Sequence, residues 1–236
     1  MQQVRIRALR ITVIAVTLIA VTHSTATQPG TYPGNFAQSA GNGTYSSLSD
    51  ALAHPDRAIT LILDRDSLNA LPTSIETLTN LQVLILNKNG LKDFPDEIGS
   101  LKKLRAIYIG GSPDLNFAKV IETLSRLPLL EGVGLDDNDM RTVPKNIGVL
   151  KACKRLGLSS NHLASLPPEI GSLDSLETLD VYANDLKSLP PEVQSLRHLK
   201  KVFVKDSGLS ISSLKIAFPG VALDTSTPPE LYLQLK

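Results

Sequence analysis

Apolar residues recur along this chain at fixed intervals. From about residue 55 onward they follow the order L-x-x-L-x-x-L-x-L-x-x-N-x-L-x-x-L-P-x-x-I-x-x, mostly every 23 residues. The phrase stands at 166–186 as LPPEIGSLDSLETLDVYANDL, and in related form at 71–91 and 94–115. A period of this length predicts stacked units that together bury one continuous core. Seven units fall into register, the third being 26 residues long, and they begin at Pro55, Leu78, Leu101, Leu127, Leu150, Leu173 and Leu196.

Each unit contains two kinds of local signal. The L-x-L triplet alternates with a period of two, which predicts a short strand whose apolar side chains point inward. A proline follows later in most units, and proline suits the first turn of a helix because its missing N–H has no partner there. These prolines are Pro72, Pro95, Pro144, Pro167 and Pro190. The apolar residues three positions later are expected to point back into the core, and they are Ile75, Ile98, Ile147, Ile170 and Val193.

One polar position recurs in every unit, three residues after the L-x-L triplet. Its side chains can all hydrogen-bond the main chain at a tight turn. A buried ladder of such bonds would satisfy backbone groups that otherwise cost about 1–3 kcal/mol each. The sequence therefore predicts a structural ladder formed by Asp66, Asn89, Ser112, Asn138, Asn161, Asn184 and Ser207.

The repeated phrase resembles the leucine-rich repeat family, in its 23-residue form LPxEIGxLxxL. This form is typical of bacterial repeat proteins and of intracellular Ras-pathway scaffolds. The resemblance covers about residues 55–218. It implies an α/β fold, a curved leucine-rich repeat solenoid of about seven repeats. Parallel strands would line the concave face, short helical or 3-10 turns would line the convex face, and the ladder residues would point inside.

The N-terminal segment has a different character. Arg5, Arg7 and Arg10 precede an uncharged apolar run at 11–21, and small residues follow up to Ala26. A basic region, a short apolar region and a small-residue site predict a signal peptide over residues 1–26. The run is shorter than the roughly 20 residues that span a bilayer. The expected location is secreted, periplasmic or at the cell surface. An uncleaved anchor is the alternative, and a misplaced start codon would make the protein cytoplasmic.

The segments on either side of the repeats are predicted to be a linker and two caps. Residues 27–44 are rich in Gly, Pro, Ser, Gln and Asn, which favours a flexible linker. Residues 45–57 carry apolar residues at helical spacing and are expected to form an N-terminal helical cap. Residues 219–236 leave the pattern and are interpreted as a C-terminal cap or tail. Caps are needed because an open end of a solenoid would expose its core.

Charge and cysteine content narrow the possible partners. The net charge of +1 gives no electrostatic reason to expect nucleic acid. The single cysteine, Cys153, cannot form an internal disulfide, which fits an intracellular protein or a bacterial export product. Because Cys153 occupies a Leu position of the repeat, it is interpreted as a small buried hydrophobe.

The candidate binding surface consists of the positions around the inward leucines. Its middle is reduced to glycine at positions 110, 111, 132, 134 and 157, with aromatic and acidic residues nearby. We interpret it as a shallow groove with aromatic anchors and an acidic floor, suited to a protein or peptide segment of basic character. The alternative is a surface that tolerates any residue. The candidate ligand-binding residues are Ile85, Tyr108, Asp136, Asp137, Arg155, Asp180, Tyr182, Phe203 and Lys205.

Other kinds of chemistry receive little support. Asp136, Asp137 and Asp139 lack the spacing of an EF-hand loop, and the four histidines form no zinc spacing with Cys153. No nucleophile elbow, phosphate loop or H-E-x-x-H motif is present. We therefore predict no metal, no cofactor and no catalytic residue. The expected function is a non-enzymatic protein-binding module, with an intracellular signalling scaffold or a structural repeat protein without a specific ligand as alternatives.

Overall fold

Nine short strands, one after another along the chain, form a single parallel sheet in the computed structural model. The structure describes residues 43–226. Neighbouring strands pair in sequence order, so each repeat adds one strand to an open sheet. The strands are β1 Thr44–Tyr45, β2 Thr60–Ile62, β3 Val83–Ile85, β4 Ala106–Tyr108, β5 Gly132–Gly134, β6 Arg155–Gly157, β7 Thr178–Asp180, β8 Lys201–Phe203 and β9 Ala222–Asp224.

Short helical turns return the chain from each strand to the next. Five of them are 3-10 helices that start directly after a proline of the repeat: Thr73–Thr77, Asp96–Ser100, Lys145–Val149, Pro168–Ser172 and Pro191–Ser195. A sixth 3-10 helix, Pro55–Arg57, follows α1, Leu48–Ala53. The predicted arrangement of parallel strands on one side and helical turns on the other is confirmed.

The long third unit forms an α-helix, α2, Phe117–Leu124, where five other units form a 3-10 helix. Asn116 caps it, since its side chain accepts a hydrogen bond from the backbone N–H of Lys119 at 3.2 Å. Val120, Ile121 and Leu124 are buried, so the extra residues give this unit a full apolar helix face instead of a single apolar contact.

The core is built from the same positions of every unit. Both apolar residues of the L-x-L triplet are buried in each repeat, as at Leu61 and Leu63 or Leu156 and Leu158. The isoleucine or valine of the 3-10 turn that follows each repeat proline, such as Ile170 or Val193, closes the core from the other side. Each such side chain contributes about 1.5–3 kcal/mol on burial, but only when the next unit covers it. One continuous cluster therefore runs through the described residues.

The N-terminal end combines a strand and a helix. Residues 45–57 were expected to be one helix, whereas β1 pairs with β2 and α1 follows only at Leu48. Ser47 begins α1 by accepting a hydrogen bond from the backbone N–H of Asp50 at 3.3 Å. Ala51 of α1 and Tyr45 of β1 are buried against the first repeat.

The C-terminal end carries a last helix and strand, α3, Ile211–Ala217, and β9. Leu214 and Phe218 are buried there, while Val221 and Leu223 are only partly covered. The predicted signal peptide at 1–26, almost all of the predicted linker at 27–44 and the tail beyond residue 226 lie outside the described residues. Every helix between residues 43 and 226 is too short or too polar to cross a bilayer.

Candidate ligand-binding surface

An asparagine ladder fixes the loops that follow the strands. Asn161 Oδ1 accepts hydrogen bonds from the backbone N–H groups of Asn138 and Met140, at 3.1 and 3.0 Å. Its Nδ2 donates to the carbonyl oxygens of Leu135 and Leu158, each at 3.0 Å. One amide thus ties its own loop to the loop of the preceding unit. Asn89, Asn138 and Asn184 make related bonds and are also buried.

The serines at this position make fewer bonds, and the first unit departs from the pattern. Ser112 Oγ accepts from the backbone N–H of Leu91 at 3.0 Å, and Ser207 Oγ donates to the Val204 carbonyl at 2.6 Å. Asp66 is exposed, and its backbone N–H donates to Asn89 at 2.9 Å. The expectation of a buried ladder side chain is wrong at Asp66, because a carboxylate is costly to desolvate without a partner.

The exposed side of the sheet is the candidate surface, and the strand register places its side chains in rows. Arg155, Thr178 and Lys201 are aligned across β6, β7 and β8. Gly157, Asp180 and Phe203 form the next row on the same strands. Along each strand, the residues of these rows alternate with the buried leucines, because successive side chains of a strand point to opposite faces of the sheet.

Four of the candidate residues are buried on this side of the sheet. The exposed fractions are 4% for Ile85, 2% for Tyr108, 3% for Asp180 and 2% for Phe203. The expectation that Tyr108 and Phe203 stand up as aromatic anchors is therefore wrong. A side chain beside a glycine can lie flat across the neighbouring strand, and it then covers the sheet instead of projecting from it.

The glycines of the middle strands are covered in this way. A Cβ atom at Gly134 would lie 2.5 Å from Tyr108 Cδ1, so the Tyr108 ring occupies that space. A Cβ atom at Gly157 would lie 2.7 Å from Asp136 Oδ2. The predicted bare groove is thus filled by Tyr108 and Asp136, because each side chain leans over the small residue of the next strand.

The carboxylates of the predicted acidic floor are bonded within the protein. Asp136 Oδ1 accepts from the backbone N–H of Ser159 at 2.7 Å and from its hydroxyl at 2.8 Å. Asp64 makes the same bond to the backbone N–H of Asn87 at 3.1 Å. These acids cap the strand ends of the following repeat. This role was not predicted from the sequence, although Asp64, Asn87 and Asp136 all stand two residues before a ladder position.

Burial also weakens the negative charge of this floor. Burial raises the pKa of Asp180 to about 7, and the nearby charge of Asp136 adds to the shift. Burial likewise raises the pKa of Asp136. Asp180 Oδ1 accepts from the backbone N–H of Tyr182 at 2.9 Å. Near neutral pH the pair therefore presents less negative charge than two ordinary aspartates, which removes the main reason to expect a basic ligand.

The accessible part of the surface differs between its two ends. Near β2 and β3, the partly exposed Ile62 and Val83 pack against an apolar cluster of Ile85, Ala106 and Tyr108. The opposite end, across β6 to β8, is rich in cations and aromatic rings. Among the accessible positions that were not sequence candidates are Ile62, Val83, Thr178 and Lys201. Nothing local in the sequence distinguishes an accessible strand position from a covered one.

The cationic end carries the remaining candidates. Arg155, Tyr182 and Lys205 are partly exposed. Lys205 Nζ lies 6.0 Å from the centroid of the Tyr182 ring, and Lys201 Nζ lies 5.1 Å from that of Phe203. Lys201 also pairs with Asp224 at 3.3 Å. Asp137 is exposed but sits in the loop beyond β5 with a positive φ of 57°, away from the rows of the sheet.

Cys153 is a buried side chain of the core, 1% exposed. Burial raises the pKa of its thiol to about 12, so the thiolate is scarce at neutral pH. Its Sγ lies 3.2 Å from the carbonyl oxygen of Arg155, to which the thiol donates. Residues 43–226 contain no cluster of three or more His, Cys, Asp or Glu side chains that could hold a metal ion.

The chain is similar to known repeat proteins. A family model described as a leucine-rich repeat region matches residues 140–215. No curated protein matches the sequence. Among solved structures, a leucine-rich repeat protein of Leptospira interrogans is 31% identical, with a TM-score of 0.68, over 77% of this chain and 46% of that protein. The chain thus spans less than half of the length of that protein.

Two further structures extend the comparison. The human trophoblast glycoprotein, also called Wnt-activated inhibitory factor 1, is 25% identical with a TM-score of 0.54, over 62% of this chain and 59% of that one. An internalin of Listeria monocytogenes is 17% identical with a TM-score of 0.52, over 80% of this chain and 59% of that one. At this identity the internalin likeness shows the fold alone.

Proposed function

Because this chain is a leucine-rich repeat protein, we propose that it is a non-enzymatic module that binds a protein or peptide ligand on its concave face. Leucine-rich repeat domains commonly mediate binding between proteins, and their solenoids offer an extended concave surface for it. The observation that carries the proposal is the division of the accessible concave side chains. Ile62 and Val83 form an apolar end, and Arg155, Tyr182 and Lys205 form a cationic end.

Such a division suits the recognition of an extended segment. Apolar contacts supply affinity, and charges placed at a distance from them fix direction and register. Tyr182 belongs to the residue types that are enriched at binding hot spots. The exposed residues Arg197 and His198 lie outside this surface, in the turn between the last 3-10 helix and β8, and provide a comparison within the same chain.

Selection of random peptides on the full chain tests the proposal. The concave variant carries Ile62→Thr, Val83→Thr and Tyr182→Ala, in which threonine keeps the β-branched shape that strands favour. The matched convex variant carries Arg197→Ala and His198→Ala. We expect the concave variant to bind the selected peptides about tenfold or more weakly, because each lost contact is worth about 1 kcal/mol or more. Binding would be measured by fluorescence anisotropy.

The convex variant should bind the peptides as the unchanged chain does. Circular dichroism and the unfolding midpoint of each variant show that a loss of binding is not a loss of fold. Equal binding by the unchanged chain and the concave variant, or the absence of any selected peptide, contradicts the proposal.

We also propose that the protein is exported. Arg5, Arg7 and Arg10 followed by the apolar run at 11–21 support this, as does the human relative, which is named a glycoprotein. Expression of the full chain in a bacterial host with a secretory system should yield a mature protein whose first residue follows Ala26 or a close neighbour. Intact-mass spectrometry of the periplasmic and cytoplasmic fractions measures this. A full-length chain confined to the cytoplasm contradicts export and favours the signalling-scaffold alternative.

A further inference from the structure

The C-terminal end of the repeat stack leaves apolar side chains uncovered. β9 is the last strand of the sheet within the part of the chain that the structure describes. Leu209 is partly exposed there, whereas its counterparts Leu163 and Leu186, each two residues after a ladder asparagine, are 0% and 1% exposed. Leu223 is also partly exposed, although Val202, its partner in the strand register, is 1% exposed. Both uncovered leucines stand at inward positions, where a following unit would cover them.

An apolar groove of about 290 Å³ opens beside Leu209. It lies between the 3-10 helix Pro191–Ser195 and α3, and its lining includes Leu189, Leu214 and Phe218. Apolar side chains that entered this groove would remove their own surface and that of the lining from water. The groove and the uncovered leucines together form one apolar surface at the end of the stack.

The next residues along the chain repeat part of the unit's own phrase. The letters PPEL at 228–231 match PPEI at 167–170 and PPEV at 190–193. In those two turns the residue after the glutamate is buried, with Ile170 at 0% and Val193 at 1% exposed. Two further leucines follow PPEL and alternate with other residues. This segment therefore combines the turn signal of the repeats with apolar side chains that suit the uncovered end.

The chain leaves β9 in a way that brings this segment within reach. Asp224 Oδ1 accepts a hydrogen bond from the backbone N–H of Ser226 at 2.9 Å, as the corresponding aspartate of β7 does in a unit that continues. Phe203 and Asp224 are partners in the strand register. From this pair, Leu209 lies six residues along one segment and Leu231 lies seven residues along the next. Segments of similar length that start side by side can bring the two leucines together.

We propose that residues 227–236 dock on the C-terminal end of the stack and close it, with Leu231 against Leu209 and the following leucines in the apolar groove. The chain's own tail is the favoured occupant because it starts directly after Ser226 and carries the apolar residues that this surface requires. Closure would also cover β9, whose outer edge could otherwise pair with a strand of a second copy. The inference is independent of the proposed function, because these residues lie outside the concave surface.

Thermal unfolding and hydrogen exchange of the full chain test this closure. The tail variant carries Leu231→Ser and Leu233→Ser, and we expect its Tm to fall by about 5 °C, because two leucines lose their burial. The amides of residues 209–224 should exchange about tenfold faster or more in the tail variant, while those of the earlier repeats keep their rates. The matched control carries Gln234→Ser and Lys236→Ser, which change polar positions of the same segment. It should keep the Tm and the exchange rates of the unchanged chain.

A disulfide identifies the occupant of this surface. Leu209→Cys and Leu231→Cys, introduced together, should form a disulfide within one chain on oxidation, and intact-mass spectrometry measures it. Cys153 stays out of the reaction because its thiol is buried. The control pair is Lys103→Cys with Leu231→Cys, which should not link because the exposed Lys103 precedes β4, five strands away from β9. Failure of the first pair to link within one chain, or a disulfide between two chains as a second copy would give, overturns the inference. Equal exchange rates at residues 209–224 in the unchanged chain and the tail variant overturn it as well.

Discussion

Replacement of Asn161 by alanine is expected to remove on the order of 3–5 kcal/mol from the free energy of unfolding. Asn161 makes hydrogen bonds to backbone groups of two neighbouring repeats, and its side chain is 4% exposed. The Asn161→Ala variant would leave the N–H groups of Asn138 and Met140 and the carbonyl of Leu135 in the core without partners, whereas the Leu158 carbonyl still accepts from Asn184. Each of these groups loses its bond but cannot return to water.

The size of this effect matters because domains are stable by only about 5–15 kcal/mol. Urea denaturation followed by circular dichroism measures it. The matched control is Asn80→Ala, whose side-chain bonds to Asp56 and Lys103 lie at the surface, and for which we expect a loss of about 1 kcal/mol or less. A similar loss for Asn80→Ala and Asn161→Ala would show that the ladder is not what holds the repeats in register.

Replacement of Asp180 by asparagine is expected to stabilise the protein at pH 8, on the order of 1–4 kcal/mol, and to stabilise it much less at pH 4. The pKa of Asp180 is raised to about 7, first by burial and then by the charge of Asp136. Asparagine keeps an acceptor for the backbone N–H of Tyr182 and carries no charge. It thus removes the cost of an ionised carboxylate beside Asp136.

The direction of the pH effect follows from the two protonation states. Between about pH 4 and pH 7, Asp180 holds its proton in the folded chain and loses it in the unfolded chain. The free energy of unfolding of the unchanged protein therefore falls as pH rises through this window, because of Asp180. Above pH 7 this decrease is complete. The Asp180→Asn chain lacks that contribution, so the difference between the two chains should grow from pH 4 to pH 8.

Urea denaturation of both chains at pH 4, 6 and 8 measures this difference. The control is Asp114→Asn, which changes an exposed aspartate in the loop of the third unit. A difference that stays constant with pH would mean that Asp180 ionises in the folded chain much as it does in the unfolded chain. In that case the carboxylate pair would offer its full charge to a basic ligand.

The repeat pattern predicted the fold in detail because its recurring apolar positions are the positions that become buried. Leu156 and Leu158 are inward in β6, Ile170 closes the turn, and the strand between residues 155 and 157 lies where the triplet placed it. The helix of the third unit was not predicted. Its buried residues, among them Val120 and Leu124, lie at helical spacing, but they fall outside the 23-residue register of the other units.

The candidate site was predicted less well than the fold. Arg155, Tyr182 and Lys205 are accessible on the predicted surface, whereas Tyr108 and Phe203 are covered. The strand register predicts on which face of the sheet a side chain lies. It does not predict whether the side chain projects away from the sheet or packs flat against it. The Tyr108 side chain packs flat against the sheet because Gly134 on the next strand leaves room for its ring.

By itself, the sequence determined the stacking of the units, the direction of the strands, the inward leucines and the recurrent polar position. These depend on the period of the chain, and a period is a property of the sequence. The tertiary structure decided which outward residues are accessible, which carboxylates are bonded to the next repeat, and that Tyr108 packs over Gly134. Such contacts join residues 23 or more positions apart, and their outcome depends on the volume left by the neighbouring side chain, which no local pattern records.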